Sequence, residues 1–597
     1  MKKLILLLRI LHKLGFANVL VVALFRLKNA FLPSQIRFNN IGHENIFLSV
    51  KNKINNHDPL VETHKNQAIL FSWKLIRFKS VPAWHYNYLS EKLSNKQNID
   101  SSKISDFIEG FGDIKGVWEL SRFEWILSFA IHSSSGNETY LKKINEWTND
   151  WIANNPPYSG LNWKCGQEAS IRLINLCLST LFLNVSKSIF SNIVKMHLKK
   201  IKQNHRYALA QRNNHAVSEA AALYIGNSYL GNLKDKEKYF KEINKLVLNL
   251  FHDDGTFAQY STNYQRMVLN TINIVEIWRS KYDKELKFSE AALKKIKLGG
   301  SWLETFISGT NGEVPNTGHN DGANVFTFHE NTFLDHRYVV ELSSLLFSNE
   351  TIYPDISFPE NIIDYSRIKK NKTRQNDYLR HFNDGGFIIS KIRNSKVFLR
   401  HPEYKFRPAH CDSLNIDVWI NGRNVIRDAG TYSYNFSEKK LDYYSGDIGQ
   451  NVIQIGNSNE MPRISRFLYG DWPKTHNLNL KDTHESNIFS AKVKKNGVMW
   501  NREVIHLKDK IKINDTLSRK KKNKVFRLRL INESFKTKEN KIIFSDFEIE
   551  FKSSLRKIIP FNLSKGFESL RYYEESEINI IEINLLDDER LETIIRK

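Results

Sequence analysis

The second half of the chain takes its fold from the stretch Leu414-Asn415-Ile416-Asp417-Val418-Trp419-Ile420-Asn421-Gly422. Leucine, isoleucine and valine alternate there with other residues, and a period of two is typical of a β-strand. The dipeptide Asn421-Gly422 is one that a two-residue type I′ turn favours, and an apolar run returns from Val425 onward. The stretch therefore predicts an antiparallel β-hairpin.

Similar short apolar runs follow this hairpin toward the carboxyl terminus. They cover residues 453–455, 488–493, 502–507, 511–513, 525–530 and 578–585. A series of short strands separated by turns is typical of a β-sandwich. We therefore predict an antiparallel β-sandwich over residues 379–597.

The preceding half of the chain has a different period. Between residues 58 and 350 the apolar residues recur at helical spacing, as in 118–127 and 168–182, and alternating runs are scarce. This spacing predicts an all-α domain whose successive helices pair as antiparallel hairpins. The segment 351–378, which carries two prolines, is the predicted linker. The predicted fold class is thus α+β and multidomain.

Length and charge agree with two folded domains and an acidic partner. The chain has 597 residues, whereas single hydrophobic cores stop growing at roughly 250–300 residues. Its 88 Lys and Arg exceed its 64 Asp and Glu, which gives a net charge of +24 and favours a polyanion. Nucleic acid is not expected, because no RNP motif, finger or basic zipper is present. An acidic polysaccharide or an anionic membrane surface stays open, and the sequence predicts no oligomeric state.

The amino-terminal segment, residues 1–57, is apolar at its start. Arg9, His12 and Lys13 cut this stretch into pieces shorter than the ~20 residues of a spanning helix, so stable transmembrane anchoring is not expected. The stretch imitates a signal peptide but lacks a convincing cleavage site. The alternative is an amphipathic helix that packs on the protein or touches a membrane surface.

Two polar clusters in the helical half carry candidate chemistry. Asn213 and Asn214 suit the cap at a helix start, and His215 and Glu219 lie four residues apart on one helical face, where they could also simply bond each other. Tyr264 and Arg266 would place a phenol beside a guanidinium, which lowers the cost of ionising the phenol. Tyr264 could then transfer protons, although a tyrosine there could equally be a core aromatic.

Two more clusters have turn-rich sequences. Residues 316–322 are polar and either form a site or a loop that holds itself together. His410 enters the predicted hairpin, and Asp428 lies on its return strand. These two residues could meet across the strands as metal ligands, although zinc normally takes four. The three cysteines are too few for a disulfide framework or a structural zinc module.

Taken in order, these clusters resemble the heparinase II/III family of polysaccharide lyases. The resembling residues are Trp118-Glu119-Leu120-Ser121-Arg122; Asn162-Trp163-Lys164 with Glu168 and Arg172; Asn213-Asn214-His215 with Glu219; Asp254-Gly255 with Ser261 and Tyr264-Gln265-Arg266; and His410-Cys411-Asp412-Ser413-Leu414 with Asp428-Ala429-Gly430-Thr431-Tyr432. They cover most of residues 80–520. The resemblance implies an amino-terminal (α/α) toroid joined to a carboxyl-terminal antiparallel β-sandwich.

The resemblance also implies β-elimination at a uronic acid. The carboxylate must be neutralised, a base must remove the C5 proton, and an acid must protonate the leaving glycosidic oxygen. By similarity, Asn214 and His215 would neutralise the carboxylate, Tyr264 would be base, acid or both, and His410 would transfer a second proton or order the site. The residues expected to bind substrate are Glu119, Arg122, Glu168, Arg172, Glu219 and Arg266.

The chain departs from the family pattern at two histidines. Pro408 stands at the first position of the family's His-x-His-x-Asp, and Gln450 stands at the histidine of its His-Asn-Thr. No cofactor is expected to be required, and a structural zinc on His410 and Asp428 would lack these ligands. Without the first histidine, Tyr264 and His215 would have to carry the proton transfers.

Three functions are compatible with these residues. The leading one is a lyase of an acidic polysaccharide. A uronate C5-epimerase would begin with the same proton abstraction and return a proton to the other face of the sugar. The third is a non-catalytic polysaccharide-binding or assembly protein descended from a lyase. Family members favour the periplasm or cell envelope, while the poor signal sequence leaves the cytoplasm open.

Overall fold

Helices make up the first half of the molecule and strands the second. The computed structural model describes residues 9–31, 48–51, 67–78, 80–185, 187–328, 332–369, 377–518 and 522–597. The predicted start of the helical domain near residue 58 and residues 370–376 of the predicted linker lie outside these ranges. The domain boundaries stay a prediction.

The helices pack as neighbouring hairpins in the order of the chain. They are α1 (Phe16–Phe31), α2 (Lys115–Ser121), α3 (Glu124–Ser134), α4 (Glu138–Asn154), α5 (Gly166–Ser179), α6 (Lys187–Gln211), α7 (Asn214–Tyr229), α8 (Leu233–Leu250), α9 (Thr262–Tyr282), α10 (Glu290–Phe306), α11 (Arg337–Ser348) and, within the second half, α12 (Glu438–Ser445). Helix α7 contacts α5, α6, α8 and α9. The Asn213 side chain accepts a hydrogen bond from the His215 N–H and so caps α7, as its sequence predicts.

Short strands accompany the helices. They form the pairs β1 (Leu48–Val50) with β6 (Leu183–Val185), β2 (Gln67–Leu70) with β3 (Lys74–Arg77), and β4 (Tyr86–Asn87) with β5 (Lys92–Leu93). A fourth pair, β13 (Arg463–Ser465) with β14 (Leu468–Tyr469), belongs to the second half.

Two large antiparallel sheets form the second half. The strands of the inner sheet are β7 (Tyr378–Phe382), β8 (Phe387–Ile392), β9 (Ser395–Arg400), β10 (Ile416–Ile420), β11 (Arg423–Ile426), β12 (Ile453–Ile455), β19 (Lys524–Leu530), β23 (Asn562–Glu568) and β24 (Ser576–Asn584). The strands of the outer sheet are β15 (Thr475–Asp482), β16 (Ser486–Lys495), β17 (Val498–Leu507), β18 (Lys510–Leu517), β20 (Lys536–Lys538), β21 (Lys541–Ile543), β22 (Glu548–Ser553) and β25 (Leu591–Arg596). The inner sheet has the order β23-β24-β19-β11-β10-β9-β8-β7, with β12 beside β19, and the outer sheet has the order β15-β16-β17-β18-β25-β22-β21-β20.

The predicted hairpin is confirmed. Strands β10 and β11 pair in antiparallel register with Ile420 opposite Arg423, across Asn421 and Gly422. Both turn residues have positive φ, at 52° and 74°, as a type I′ turn requires. The predicted β-sandwich is confirmed as well, because the two sheets bury a common apolar core between them.

The inner sheet is covered on both faces. One face joins the sandwich core, while Phe387 and Phe398 of the other face pack against Phe306 of α10, with ring centroids 5.2 and 5.3 Å apart. This packing holds the loops of the inner sheet against the helical domain. The candidate site lies among these loops.

Candidate active site

The polar loop 316–322 of the helical domain forms hydrogen bonds to the sandwich. The Asn316 amide donates to the Ser569 carbonyl at 2.6 Å, and the Asn320 N–H donates to the Thr431 hydroxyl at 3.3 Å. Gly318 has a φ of +74°, and an added Cβ would come within 2.5 Å of the Tyr260 carbonyl oxygen. The loop is therefore not stabilised by its own contacts alone. Its bonds to the sandwich fix His319 and Asp321 between the two domains.

Tyr264 lies at the start of α9, where Ser261 caps the helix. Its hydroxyl is 2.9 Å from the hydroxyl of Tyr434, which follows strand β11 in the sandwich. The Tyr434 N–H donates to the Tyr572 hydroxyl at 2.9 Å, and Tyr572 donates to Asp113 at 2.5 Å. Two domains therefore meet at the Tyr264 hydroxyl, and the side chain of Tyr264 is only 6% exposed.

The electrostatic setting of Tyr264 differs from the sequence expectation. Burial, and then the negative charge of Asp321, raise the pKa of Tyr264 well above its ordinary value. Arg266 was expected beside the phenol, but its guanidinium donates to Asn263 at 2.8 Å and to the Ala323 carbonyl at 3.0 Å. The expected lowering of the phenol pKa by Arg266 is therefore wrong, and Tyr264 is protonated at neutral pH.

Asp321 has its own cation. Lys115 donates to the Asp321 carboxylate at 2.7 Å, and both side chains are at most one tenth exposed. Burial alone would raise the pKa of Asp321, but Lys115 and Arg122 outweigh burial and hold this pKa at about 2. Lys115 was not a candidate from the sequence, and Asp321 was one only as a member of the polar cluster 316–322.

Three of the expected substrate-binding residues form one buried ion network. Arg122 donates to Glu168 at 2.7 and 3.0 Å and to Glu119 at 2.7 Å. Glu119 also accepts from the Phe71 N–H at 2.9 Å. The Arg122 side chain is 1% exposed. This network joins α2 to α5 inside the wall of the site.

The structure places Arg172 and Arg266 inside the helical wall as well. Arg172 donates to His197, to the Ser121 carbonyl and to the Asn162 carbonyl at 2.8–3.0 Å, and it is fully buried. Arg266 is 1% exposed. Because the protein itself uses these guanidinium donors, we do not propose either arginine as a contact to sugar acids.

Helix α7 brings Asn214 and His215 to the site but directs Glu219 elsewhere. The Asn214 amide donates to Gln167 at 3.0 Å. His215 is partly exposed, and the loss of solvent around its ring, together with the charges of Lys115 and Arg407, lowers its pKa to about 4 against the opposing charges of Glu168 and Asp321. Glu219 lies 3.5 Å from His205 of α6, so the alternative of a His215–Glu219 bond finds no support in the structure.

His410 is enclosed behind a second histidine. Its ring centroid lies 5.6 Å from that of His319, and the His319 ring lies 5.5 Å from that of Tyr434. Burial lowers the pKa of His410 to about 4 and that of His319 to about 3, so both imidazoles are neutral at pH 7. His410 is 2% exposed whereas His319 is partly exposed, so His319 is the more accessible of the two imidazoles.

Arg407 is a partly exposed cation of a different kind. It donates to the Gln211 carbonyl at 2.6 Å and forms no ion pair with a described residue. Its charge acts on His215, on His319 and on the Tyr264 phenol. Arg407 lies three positions before His410 in the sequence, and its sequence neighbours do not indicate a role for it.

The residues present do not fit a zinc ion. Asp428 accepts from the Gly430 N–H at 2.8 Å, and the Gln450 amide donates to the Tyr444 carbonyl at 3.4 Å. Within the described part of the chain, no three His, Cys, Asp or Glu side chains are grouped so that they could hold a metal. A structural zinc needs four ligands, and no step proposed below uses a metal.

Comparisons with known proteins identify the family. The family model for the heparinase II/III N-terminus matches residues 76–297, and the model for the heparinase II/III-like C-terminal domain matches residues 374–558. Together they cover more than half of the chain. No curated protein sequence gives a significant match.

Solved structures share the fold at low sequence identity. A crystal structure of heparinase III has 14% identity and a TM-score of 0.62, with 92% of this chain and 87% of that chain covered. The heparan sulfate lyase of Pedobacter heparinus has 15% identity and a TM-score of 0.54 over 97% and 88% of the two chains. Chondroitin AC lyase of Streptomyces coelicolor A3 has 9% identity and a TM-score of 0.51 over 80% and 74%.

The predicted architecture, an (α/α) toroid followed by an antiparallel β-sandwich, is thereby confirmed. The same two domains enclose the Tyr264 cluster. With both halves of the chain matched by its models, the chain belongs to the heparinase II/III family.

Proposed function

We propose that this protein is a lyase that cleaves a uronate-containing acidic polysaccharide by β-elimination. One observation carries the proposal: the protonated Tyr264 hydroxyl lies 2.9 Å from Tyr434, within a cluster of neutral imidazoles and one cation without an acidic partner among the described residues. Such a cluster supplies an acid, a base and a charge for a carboxylate. The printed names of structural neighbours, a heparan sulfate lyase and a chondroitin AC lyase, support the substrate class.

The substrate carboxylate would lie between Arg407 and the start of α7. The partly exposed His215 can offer a hydrogen bond there, but it is neutral at pH 7 because its pKa is about 4, and the buried Asn214 amide already donates to Gln167. Arg407 therefore supplies the positive charge. Charge-assisted hydrogen bonds to the carboxylate stabilise the negative charge that develops when the C5 proton leaves.

The elimination needs two proton transfers. A neutral imidazole, for which His319 is the partly exposed candidate, accepts the C5 proton, and the C5–H electrons form the C4=C5 double bond. The C4–O bond breaks, and the Tyr264 phenol protonates the leaving oxygen. Tyr434, in contact with both groups, offers a path for the proton to return to Tyr264. His410 orders the His319 ring from behind.

The test is the ultraviolet absorbance of the new C4=C5 double bond. Purified protein is incubated with heparan sulfate, chondroitin and bacterial acidic polysaccharides. We expect the absorbance to rise with at least one polymer. The rate of this rise should be roughly 10²–10⁴-fold lower in Tyr264→Phe, because one proton transfer is lost. Tyr229→Phe, which removes a hydroxyl from the far end of α7, is the matched control and should retain full activity.

Other outcomes point to the rival functions. Deuterium incorporation at C5 from heavy water, without unsaturation, would identify a uronate C5-epimerase. Polymer binding with neither signal would identify a binding protein. Full activity of Tyr264→Phe would overturn the proposed role of this hydroxyl.

A further inference from the structure

Helix α1 exposes its apolar side to solvent. Five large apolar side chains on α1 are more than half exposed: Phe16 (64%), Leu20 (59%), Leu24 (56%), Leu27 (53%) and Phe31 (79%). At about 100° per residue they fall within an arc of about 80°, so they form one continuous stripe. We call these five residues the apolar stripe. A helix on a globular protein normally turns such a stripe toward the core.

The opposite side of α1 is fixed to the protein. Phe25 stacks on Tyr207 of α6 with ring centroids 4.4 Å apart. Lys103 donates to the Asn29 carbonyl at 2.7 Å. The helix is therefore attached through its Phe25 and Asn29 side, and the apolar stripe points away from the toroid.

The residues before α1 attach it to the sandwich. Arg9 lies 3.6 Å from Asp471, and the Lys13 ammonium lies 4.4 Å from the ring centroid of Trp472. Contacts to both domains hold the stripe in a fixed orientation.

The charge on the described amino-terminal segment has a single sign. Residues 9–31 contain four Lys and Arg and no Asp or Glu. Arg26 and Lys28 are exposed and lie on either side of the stripe. An apolar stripe flanked by cations is complementary to an anionic lipid surface, where apolar side chains enter the headgroup boundary and cations meet lipid charges. A second copy of this helix would instead bring like charges together.

We propose that α1 docks the protein flat on an anionic membrane surface through the apolar stripe. No helix among the described residues is long and apolar enough to cross a membrane. With 16 residues, α1 is about 24 Å long, short of the roughly 30 Å hydrocarbon core, so it lies in the interface. Docking would hold the candidate active site at the membrane surface.

The test is flotation of the full chain with lipid vesicles. One set contains phosphatidylglycerol and phosphatidylcholine, and the other contains phosphatidylcholine alone. We expect the protein to float with the anionic set and about tenfold less with the neutral set. Leu20→Ser/Leu24→Ser/Leu27→Ser should lose about tenfold or more of the binding, because it removes buried apolar area from the interface.

A matched control separates this stripe from exposed leucines in general. Leu233, Leu555 and Leu563 are 65%, 55% and 47% exposed and lie outside α1. Their triple Ser variant should float like the unmodified protein. Arg26→Gln/Lys28→Gln should weaken binding to anionic vesicles and leave the small binding to neutral vesicles unchanged.

Four results would overturn the proposal. They are no flotation of the unmodified protein, equal flotation of the α1 triple variant, a dimer in solution that the α1 triple variant dissociates, and recovery of the protein from its own cell without residues 16–31, as shown by intact mass. Flotation needs no substrate, so this outcome is independent of the proposed lyase activity.

Discussion

The arginines in and around the candidate active site are of two kinds. Arg122, Arg172 and Arg266 in the toroid are at most 1% exposed, and their donors are used by carboxylates, carbonyls and side chains of the protein. Arg407, at the edge of the sandwich, is partly exposed and has no carboxylate among the described residues. The first kind builds the wall and the second is available to a substrate. A mutation should therefore affect folding in one place and binding in the other.

The largest effect is expected from Arg122→Met. Without the guanidinium, Glu119 and Glu168 remain buried without their principal cation, and such a loss costs about 3–5 kcal/mol. Urea unfolding monitored by tryptophan fluorescence measures this change. Arg407→Gln serves as the control and should stay within about 1 kcal/mol of the unmodified protein. If Arg122→Met changed the free energy of unfolding by less than the control does, the network would not hold the wall.

The buried histidines predict a loss of stability in acid. Burial lowers the pKa of His197 and His319 to about 3 and of His215 and His410 to about 4. The unfolded chain binds these protons near pH 6.5 while the folded chain does not, so stability falls as pH drops from about 6.5 to about 4. At 1.36 kcal/mol per pKa unit, a histidine with a pKa of about 4 contributes at most about 3 kcal/mol and one with a pKa of about 3 at most about 5 kcal/mol. His410→Gln should flatten this slope in urea unfolding between pH 7 and 4.5.

His205 should have the opposite sign. Burial alone would lower its pKa, but hydrogen bonds to Glu219 and Glu242 raise it to about 9. Its contribution is therefore complete below about pH 6.5 and is lost as pH rises through about 9. His205→Gln should destabilise the protein at pH 7 and much less at pH 10. An acid slope unchanged in His410→Gln, or a pH-independent effect of His205→Gln, would contradict these assignments.

Much of the fold could be predicted because it follows local rules. The Asn421-Gly422 turn, the Asn213 cap and the runs that became β12 and β18 depend on neighbouring residues alone. Burial of both faces of β10 could not be predicted in the same way. In β17 the alternation separates buried from partly exposed positions, whereas in β10 Asp417 is buried too and bonds Trp419 and Asn424. The helical domain, which covers the second face of β10, is distant from this strand in sequence.

The candidate site was predicted only in part for the same reason. Motif order pointed to Tyr264, His215 and His410. Tyr434 lies 170 positions from Tyr264, and no local pattern joins them. The partners of Arg172 could not be predicted, because a polar residue on a helix gives no sign of whether its partners are sugars or backbone carbonyls. The sequence of residues 316–322 indicated a polar loop with two glycines. No local pattern indicated that this loop contacts the sandwich.

A middle-sized effect is expected from Arg407→Gln. If Arg407 binds the uronate carboxylate, losing a charge-assisted hydrogen bond should cost about 1.5–3 kcal/mol, roughly 10–100-fold in kcat/KM. Initial rates of unsaturation across substrate concentrations measure this change. Arg407→Lys should recover part of the activity, because the charge returns without the two-pronged geometry. Equal kcat/KM in Arg407→Gln and the unmodified protein would place the carboxylate elsewhere.

The smallest effect is expected at Arg423, which pairs with two carboxylates as Arg122 does but lies at the protein surface. Arg423 bonds two carboxylates, Glu533 at 2.7 Å and Asp546 at 2.5 Å, and these side chains are each about one third exposed. Solvent and salt screen such pairs, so Arg423→Met should cost only about 0.2–1 kcal/mol, and less at high salt. Urea unfolding of Arg423→Met and Arg122→Met under one condition compares the two. Because the number of carboxylates is equal, any difference between them measures burial. If Arg423→Met lowered the free energy of unfolding as much as Arg122→Met does, the number of ion pairs, and not their burial, would decide how much each arginine stabilises the fold.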